Sequence, residues 1–335
     1  MTGKKNQSGG FGWRALIHSP LAFIALVRDK YTSAQAAREM ADRVVDIIDP
    51  SIKSIRGYRK RIIPPLLRCL DHCAKIVAQI PGPIPLDAAN YSSSPLIKAA
   101  FKDRKAVATI LRLAEAQQIS PNEKEQNRVA LLTMTHSESE FFGTSREGQM
   151  IVGDARLKAV TFSDHKVVGI ATTLEDSRQQ LEKVIFDVII ESASHELSDR
   201  RADLGELREK REKLKAMLKL FGESASQTEE LEQARGKKLD KVKSYLKESE
   251  SNLSAAKADV ETPADRLNFL VDFLARPENI MDIRLVSLRL DWSNVITSNP
   301  EVSANTITFA QCAIHETRRR DAVLITYVMD KENKE

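Results

Sequence analysis

The residue types with the greatest chemical potential lie in one short stretch of the chain. Cys69, His72 and Cys73 are spaced at i, i+3 and i+4, so on a helix their side chains share one face and could reach a single metal ion. Zinc would need a fourth ligand and usually takes its cysteines from Cys-x-x-Cys pairs in loops. The spacing therefore favours small buried thiols beside a partly exposed histidine, and we expect no metal and no cofactor.

A second candidate is an acid and base pair. His136 lies near Glu138 and Glu140, and a histidine beside a carboxylate can move protons. No nucleophile motif and no phosphate-binding glycine loop accompanies these residues. We interpret them as a polar strand end, we place His165 in a solvated hairpin turn, and we predict no catalytic residue and no enzymatic activity.

The strongest local charge lies between Lys53 and Arg68, a segment that contains no acidic residue. Six cations with Tyr58 among them could bind the phosphates of nucleic acid or of an anionic lipid surface. The alternative is a solvated basic helix face that packs near acidic segments. The possible polyanion-binding residues are Lys53, Arg56, Arg59, Lys60, Arg61 and Arg68.

Composition places these residues in an ordinary folded protein. The 335-residue chain is 29% charged and 42% hydrophobic, which suits two or three domains with a substantial core. The formal net charge is +4, from 51 basic and 47 acidic residues, so overall charge does not identify a polyanionic partner. Three cysteines do not make a disulfide framework. We expect a cytoplasmic protein, with a peripheral position at the inner membrane as the open alternative.

Helical patterns fill the first third of the chain. The apolar stretch from Ala15 to Val27 is too short to span a bilayer, which needs about 20 residues. It predicts a core helix after Pro20 or, as the alternative, a helix lying on a membrane surface. Three further helices are predicted: Ser33 to Ile48, a helix that starts after Pro64 and Pro65, and a helix from Pro95 through Leu113.

Short runs rich in β-branched residues follow Pro121 and are typical of strands. Residues 128–135, 149–153, 156–163 and 166–172 predict an antiparallel meander with turns at 144–148 and 163–165. Near the C-terminus, residues 282–291, 306–315 and 322–329 predict three more strands. The last two would form a hairpin with a solubilising tip at Arg318, Arg319 and Arg320.

Between the two groups of strands, apolar residues follow a heptad repeat over an outgoing helix and again over a returning helix. Arg200 and Arg211 interrupt the seam, where they would weaken the stalk locally and could set its register. The first turns, Leu181 to Ile190, are apolar almost all round and predict a buried base. The predicted seam consists of Leu197, Leu204, Leu207, Leu214, Leu218, Leu239, Val242, Leu246, Leu253 and Val260.

Strands on both sides of the hairpin predict one sheet or small barrel, because either group alone would be marginally stable. The expected fold class is α+β, with an N-terminal helical region and an antiparallel β-rich body interrupted by a long antiparallel coiled-coil hairpin. The predicted division is a disordered tail at 1–12, the helical region at 13–120, the body at 121–173 and 275–330, the hairpin at 174–262, a docking helix at 263–274 and a disordered tail at 331–335.

Four short motifs are spread over much of the chain: Ile80 to Pro83 (IPGP), Phe162 to Val167 (FSDHKV), Leu274 to Glu278 (LARPE) and Ser287 to Asp291 (SLRLD). In these motifs the chain resembles a group of uncharacterised bacterial proteins that contain a coiled coil. The resemblance implies a bacterial cytoplasmic protein with this layout. It implies no activity and no functional residue.

Two functional hypotheses follow. The first is a non-enzymatic interaction or scaffold protein whose helical hairpin contacts a protein partner, or a second copy of the chain through its outer faces. The second is a protein associated with nucleic acid or with an anionic membrane surface through residues 53–68. An enzyme whose site is built from scattered residues is the third alternative, and a deep pocket with converging carboxylates would favour it.

Overall fold

The computed structural model describes residues 34–89, 91–116, 127–147, 150–223, 229–315 and 318–328. Over these residues the chain is a mixed α+β protein with seven α-helices and a curled, largely antiparallel sheet of six strands, which confirms the predicted fold class. The helix predicted after Pro20 and the two predicted tails, 1–12 and 331–335, lie outside the described residues.

Two helices precede the sheet in the chain and pack on each other. α1 spans Ala34–Ile48, and α2 spans Tyr58–Ala78 after a short 3₁₀ turn. The prediction that α2 starts after the prolines is wrong, because Pro64 and Pro65 lie inside the helix. Proline removes a helix donor at each position. Burial of one continuous face offsets this cost, and the face includes Tyr58, Ile62, Leu66, Cys69, Cys73, Ile76 and Val77.

The single helix predicted from Pro95 through Leu113 is two helices, α3 (Pro95–Ala100) and α4 (Arg104–Ala116). Phe101 separates them with an extended backbone and a buried ring. The carboxylate of Asp103 accepts a hydrogen bond from the backbone N–H of Ala106 at 2.8 Å, which is how an N-cap starts a new helix. A buried ring and a local cap therefore divide an otherwise continuous apolar pattern.

The sheet joins strands from both sides of the hairpin. Its order is β3-β2-β6-β5-β4, and the short β1 pairs with β6 in parallel. All other strand pairs in this sheet are antiparallel. The strands are β1 (Ile84–Pro85), β2 (Asn127–Glu147), β3 (Met150–Ala171), β4 (Met281–Leu290), β5 (Asn305–Ile314) and β6 (Arg318–Val328).

The predicted meander is instead one long hairpin of β2 and β3. The turn predicted at Ser163 to His165 is wrong, because β3 continues through it with Asp164 at φ 51°. The register with β2 shifts next to this point, as at a β-bulge. A bulge and a turn use the same residue types, and the long-range pairing with β2 decides between them.

Residues that follow β4 curl the sheet. Leu290 bridges to Ile296, and Val295 bridges to Ala159 on the outer edge of β3. The backbone N–H of Ile296 donates to the carbonyl of Lys158 at 2.8 Å. The concave face encloses a core that α3 and α4 cover, including Leu96, Ile97, Val107, Leu132, Met134, Phe309, Val323 and Ile325.

The convex face carries the second core and the stalk. α5 (Leu174–Glu223) starts on this face, and α6 (Glu229–Val260) returns beside it. α7 (Pro263–Ala275) follows, with a capping box between Thr262 and Asp265. The base of α5 is buried in this core through Leu181, Ile185, Phe186, Ile189 and Ile190.

Candidate functional site: the stalk and the groove at its base

The predicted seam residues follow the inner line of the α5 and α6 pair. Leu197, Leu204, Leu253 and Val260 are buried near the body. The residues farther out are half-buried, namely Leu207, Leu214, Leu218, Leu239, Val242 and Leu246. Burial thus decreases along the stalk. This is expected because α5 and α6 also contact α7 near the body, whereas farther out, among the described residues, they contact only each other and water.

The two seam arginines have different surroundings. The guanidinium of Arg200 lies 4.8 Å from the ring centroid of Phe269 on α7 and also pairs with Glu196. Arg211 is half-buried and pairs with its neighbour Glu212. Arg200 therefore packs towards the body through a cation–π contact. Arg211 is the arginine that interrupts the apolar seam farther along the stalk.

The charged residues are distributed unevenly along the stalk. Residues 191–208 and 249–261 carry eight acidic and four basic residues, whereas residues 209–220 and 236–248 carry four acidic and ten basic residues. We call the second group the basic band. The tip, residues 221–235, has four acidic residues and one arginine, so the excess positive charge is confined to the middle of the hairpin.

Large apolar side chains are exposed within the basic band. Met217, Leu220 and Tyr245 are 50%, 66% and 56% exposed. In the heptad register Met217 and Tyr245 occupy g positions, and Leu220 occupies the adjoining c position. In an antiparallel pair both g positions border the same side of the seam. The three side chains therefore lie on one flank, together with Lys210, Lys213, Lys238 and Lys241.

A buried carboxylate fastens the stalk to the body. Asp49, at the end of α1, accepts hydrogen bonds from Arg201 on α5, from Arg266 Nη1 on α7 at 2.7 Å, and from the backbone N–H of Ser51 at 2.9 Å. Burial alone would raise the pKa of Asp49, but hydrogen bonds from Ser51 and Arg266 and the charge of Arg201 hold that pKa below its ordinary value. One side chain thus joins three helices.

Four of the six predicted polyanion-binding cations have partners within the chain. Lys53 pairs with Asp46 at 2.6 Å, Arg59 with Asp42 at 2.6 Å, and Arg68 with Glu278 at 3.1 Å. Arg61 donates to the side chain of Asn268 at 2.6 Å. Arg56 and Lys60 are exposed. The segment therefore connects α2 to α1, to α7 and to the turn that follows α7.

Cys69 and Cys73 are both buried on α2, and His72 turns away from them. His72 Nε2 lies 2.7 Å from the carbonyl oxygen of Met281 on β4. A hydrogen bond with Cys69, together with burial, raises the pKa of Cys73 well above its ordinary value. Within the described residues, no group of three or more His, Cys, Asp or Glu is arranged to hold a metal ion.

His136 does pair with a carboxylate, but not with the ones expected from the sequence. Its Nδ1 lies 2.6 Å from the carboxylate of the buried Asp321 on β6, which also accepts from the backbone N–H of His136 at 2.9 Å. Gln311 on β5 donates to Asp321, and Arg284 on β4 donates to Gln311. Glu138 and Glu140 instead pair with Lys158 and Arg156 farther along the β2 and β3 hairpin.

This network crosses four neighbouring strands on the concave face. Asp321 follows three arginines and precedes an apolar run, so its local sequence does not single it out as a functional residue. A signal does exist, since alternation along β6 places Asp321 on the same face as Val323 and Ile325. A charged residue there needs a partner.

The prediction that His165 lies in a solvated turn is wrong, because its ring stacks on Phe101 at 4.4 Å between ring centroids.

The stability of the fold should depend on pH through His136. The hydrogen bond to Asp321 raises the pKa of His136 above its ordinary value, so its contribution is complete below the unfolded pKa, about 6.5, and is lost as the pH rises through the folded pKa. We expect wild type to lose more stability than His136→Gln between acidic and mildly alkaline pH, measured by urea unfolding. Burial lowers the pKa of His165, which acts in the opposite direction, but His165 is present in both proteins. Parallel curves for the two proteins would therefore contradict the assignment to His136.

A groove of about 770 Å³ lies between the base of α5 and the convex face of the sheet. Its helix wall comes from residues 181–199, and its sheet wall comes from β2, β3, β5 and β6. Cys312 lies in the sheet wall, and desolvation raises its pKa to about 12, so the thiol stays protonated near neutral pH.

The hairpin tip predicted at Arg318 to Arg320 is wrong for Arg320, which is half-buried in β6 and donates hydrogen bonds to Asp164 and Thr135.

Comparison with known proteins identifies no relative. No protein-family model matches the chain, and neither the curated proteins nor the solved structures give a match. The resemblance to uncharacterised bacterial proteins therefore stays a prediction. Among the described helices, none combines the length and the apolar character needed to cross a membrane.

Proposed function

We propose that this chain is a non-enzymatic, cytoplasmic bacterial interaction protein that presents its coiled-coil stalk to a protein partner with an acidic surface. The basic band carries the proposal, because it contains ten basic and four acidic residues, and its three exposed apolar side chains lie on one flank together with four of its lysines. An acidic surface would meet this charge, and the apolar side chains would supply the contact area.

A protein fits this flank better than a nucleic acid does. Protein interfaces combine an apolar centre with a charged rim, and tyrosine is enriched among the residues that carry the binding energy. Nine of the ten cations in the band are lysines, whereas arginine is favoured for bidentate phosphate contacts. The long-range attraction of the lysines would raise the association rate and would weaken with salt.

The base of the stalk supports a presenting role. Five apolar residues of α5 are buried in the body, and Asp49 joins α1, α5 and α7. A stalk held in this way keeps one direction relative to the sheet, so a partner bound at the band would be held at a defined distance. At about 1.5 Å per residue, the returning helix alone is roughly 48 Å long.

A second candidate is polyanion binding through residues 53–68, on nucleic acid or on an anionic membrane surface. It has less support, because four of the six cations already have partners in the chain. Arg56 and Lys60 would have to carry the binding. An Arg56→Glu and Lys60→Glu double variant that keeps full binding to duplex nucleic acid and to anionic vesicles would remove this candidate.

Site-specific photocrosslinking in cells tests the stalk proposal. A photoreactive phenylalanine derivative replaces Met217 in the full chain, and in a matched chain it replaces the similarly exposed Leu113 on α4. We expect a discrete adduct with another protein from position 217 and no such adduct from position 113. Adding Lys238→Glu and Lys241→Glu should abolish the adduct, whereas Lys105→Glu on α4 should leave it intact.

The purified partner should then bind the wild-type chain with an affinity that falls as salt rises. No adduct at position 217, or an adduct that survives the two lysine substitutions, would overturn the proposal. An adduct that contains two copies of this chain would replace the heterologous partner with a homodimer. Retention of duplex nucleic acid by the band, lost in the lysine variant, would also overturn it.

A further inference from the structure

The strand β4 lies at an edge of the sheet, and its middle is not covered. The strand order ends at β4, and its pairing with β5 runs without a register shift from Met281 to Leu290. Natural sheets protect such edges with short strands, prolines, lysines, bulges or a covering segment. The ten residues of β4 include no proline and no lysine, and the unbroken register contains no bulge. The outer edge is therefore long and regular enough to pair with another strand.

Hydrogen bonds at the start of β4 show which backbone groups point outward. The carbonyl of Ile280, just before the strand, accepts from the backbone N–H of His315 at 2.8 Å, so it points towards β5. Backbone groups of successive residues in a strand point to opposite sides. The next carbonyl, that of Met281, accordingly points away from β5 and lies 2.7 Å from His72 Nε2 on α2. Odd-numbered residues of β4 therefore face the outer edge.

The other end of β4 agrees with this assignment. The carbonyl of Arg289 accepts from the backbone N–H of Thr297, in the segment that follows the strand, at 3.0 Å. Between the two covered ends, the outward residues are Ile283, Leu285 and Ser287. Within the part of the chain that the structure describes, no other residue bonds their outward N–H and C=O groups. The middle of the edge thus offers three donors and three acceptors to another strand.

The side chains around this gap do not shield it. Leu285, at its centre, is 57% exposed. The guanidinium of Arg284 turns inward, because it donates to the side chain of Gln311, its register partner on β5, at 2.9 Å. A large exposed apolar side chain in the centre of an unpaired edge is a template for strand addition.

We propose that two copies of this chain pair their β4 strands in antiparallel orientation, with a two-fold axis at Leu285, and so form one sheet that continues across the dimer. In this register Leu285 pairs with the partner's Leu285, and Ile283 pairs with the partner's Ser287. Each pair of facing outward residues exchanges two hydrogen bonds, so the three pairs exchange six. Both copies use the same surface, as a closed two-fold contact requires.

A second copy fits this edge because the free backbone groups are symmetric about Leu285. Of the two-fold registers, only this one pairs every free outward residue with another free outward residue. A register centred on Arg284 would place two guanidinium groups directly opposite each other, and like charges in that position destabilise a sheet. A register centred on Ile283 would need Met281, whose carbonyl already contacts α2. This inference does not rest on the proposed function of the stalk.

Sedimentation velocity of the full chain over a range of concentrations tests the proposal. We expect a reversible equilibrium between monomer and dimer. Leu285→Glu removes the leucine contact and places two carboxylates opposite each other at the axis, so it should raise the dissociation constant about tenfold. The matched control is Leu113→Glu on α4, where the leucine is 55% exposed, and it should leave the dissociation constant unchanged.

A proline substitution tests whether backbone groups carry the contact. Ser287→Pro removes one outward N–H from each copy, and proline is tolerated in an edge strand where the missing donor faces solvent. The variant should keep the circular dichroism spectrum of wild type but dimerise about tenfold more weakly, the scale of two lost hydrogen bonds. Ser287→Ala removes only the hydroxyl contact with Thr308, so it should dimerise like wild type.

Cysteine crosslinking tests the register. Residues of a hydrogen-bonded antiparallel pair have Cα atoms about 5.5 Å apart, within the range of a disulfide. Leu285→Cys should therefore form a disulfide-linked dimer under mild oxidation. Ser287→Cys should not, because its counterpart lies four residues farther along the partner strand, about 13 Å away. Wild type, treated in the same way, controls for the native cysteines.

A chain that stays monomeric at every concentration would overturn the proposal, and so would a dimer that survives both Leu285→Glu and Ser287→Pro. A dimer that persists in these variants but is lost with Lys238→Glu and Lys241→Glu would move the contact to the stalk. Stronger crosslinking at position 287 than at position 285 would overturn the register.

Discussion

Replacement of Asp49 by alanine should lower the free energy of unfolding by about 3 kcal/mol, the lower end of the cost of breaking a buried ion pair. The carboxylate is 8% exposed, whereas Arg201 and Arg266 are 41% and 19% exposed. Without Asp49 both guanidinium groups lose their shared partner between α5 and α7. The partial exposure of Arg201 limits the loss, because water can replace part of the interaction.

Urea unfolding at pH 7 and at pH 3 measures this effect. The lowered pKa of Asp49 means that its contribution is present above the unfolded pKa, about 3.9, and is lost as the pH falls through the folded pKa. The difference between wild type and variant should therefore shrink in acid. Asp49→Asn, which can still accept from Ser51, should lie between the two proteins.

Asp46→Ala is the matched control. Asp46 lies in the last turn of α1, and its ion pair with Lys53 is exposed on both sides, so we expect little change in stability. An equal loss for Asp46→Ala and Asp49→Ala would show that the contact of Asp49 with α5 and α7 is not what stabilises the fold. A pH-independent difference would contradict the role of the charge.

Gly82→Ala should destabilise the protein by about 3 kcal/mol, as the sum of two costs. Gly82 has φ +113°, where an L side chain is strained by roughly 1 to 3 kcal/mol. An added Cβ would also collide with the backbone carbonyl oxygen of Leu324. This contact cannot relax locally, because the carbonyl of Pro81 accepts a hydrogen bond from the backbone N–H of Leu324 at 2.9 Å.

Two other glycines separate these costs. Gly57 has φ +81° with nothing within 4 Å of an added Cβ, so Gly57→Ala should cost only about 1 kcal/mol for the left-handed backbone. Gly205 lies inside α5 with open space around it, and Gly205→Ala should stabilise the fold by up to about 1 kcal/mol. Thermal unfolding of the three variants gives their order, and a Gly82 variant no worse than the Gly57 variant would contradict the close contact with β6.

Local periodicity was sufficient for the largest features. The α+β class, the single sheet formed across the hairpin and the buried first turns of α5 all followed from patterns within the chain. A heptad or an alternating pattern records which face of an element meets apolar surroundings, because each period places like residues on one side. The interior prolines of α2 and the division at Phe101 were missed, since in both places burial against the rest of the protein outweighs local propensity.

The tertiary structure alone decided which charges meet. Asp321 reaches His136 because β6 pairs with β2, although the two residues are 185 positions apart. Asp49 reaches Arg201 and Arg266 only when α5 and α7 dock on α1. The groove arises where α5 leaves the convex face of the sheet, so its walls come from segments that are far apart in the sequence. The sequence determined the faces of its helices and strands, whereas the partners of its charged groups depend on long-range packing, which no local spacing encodes.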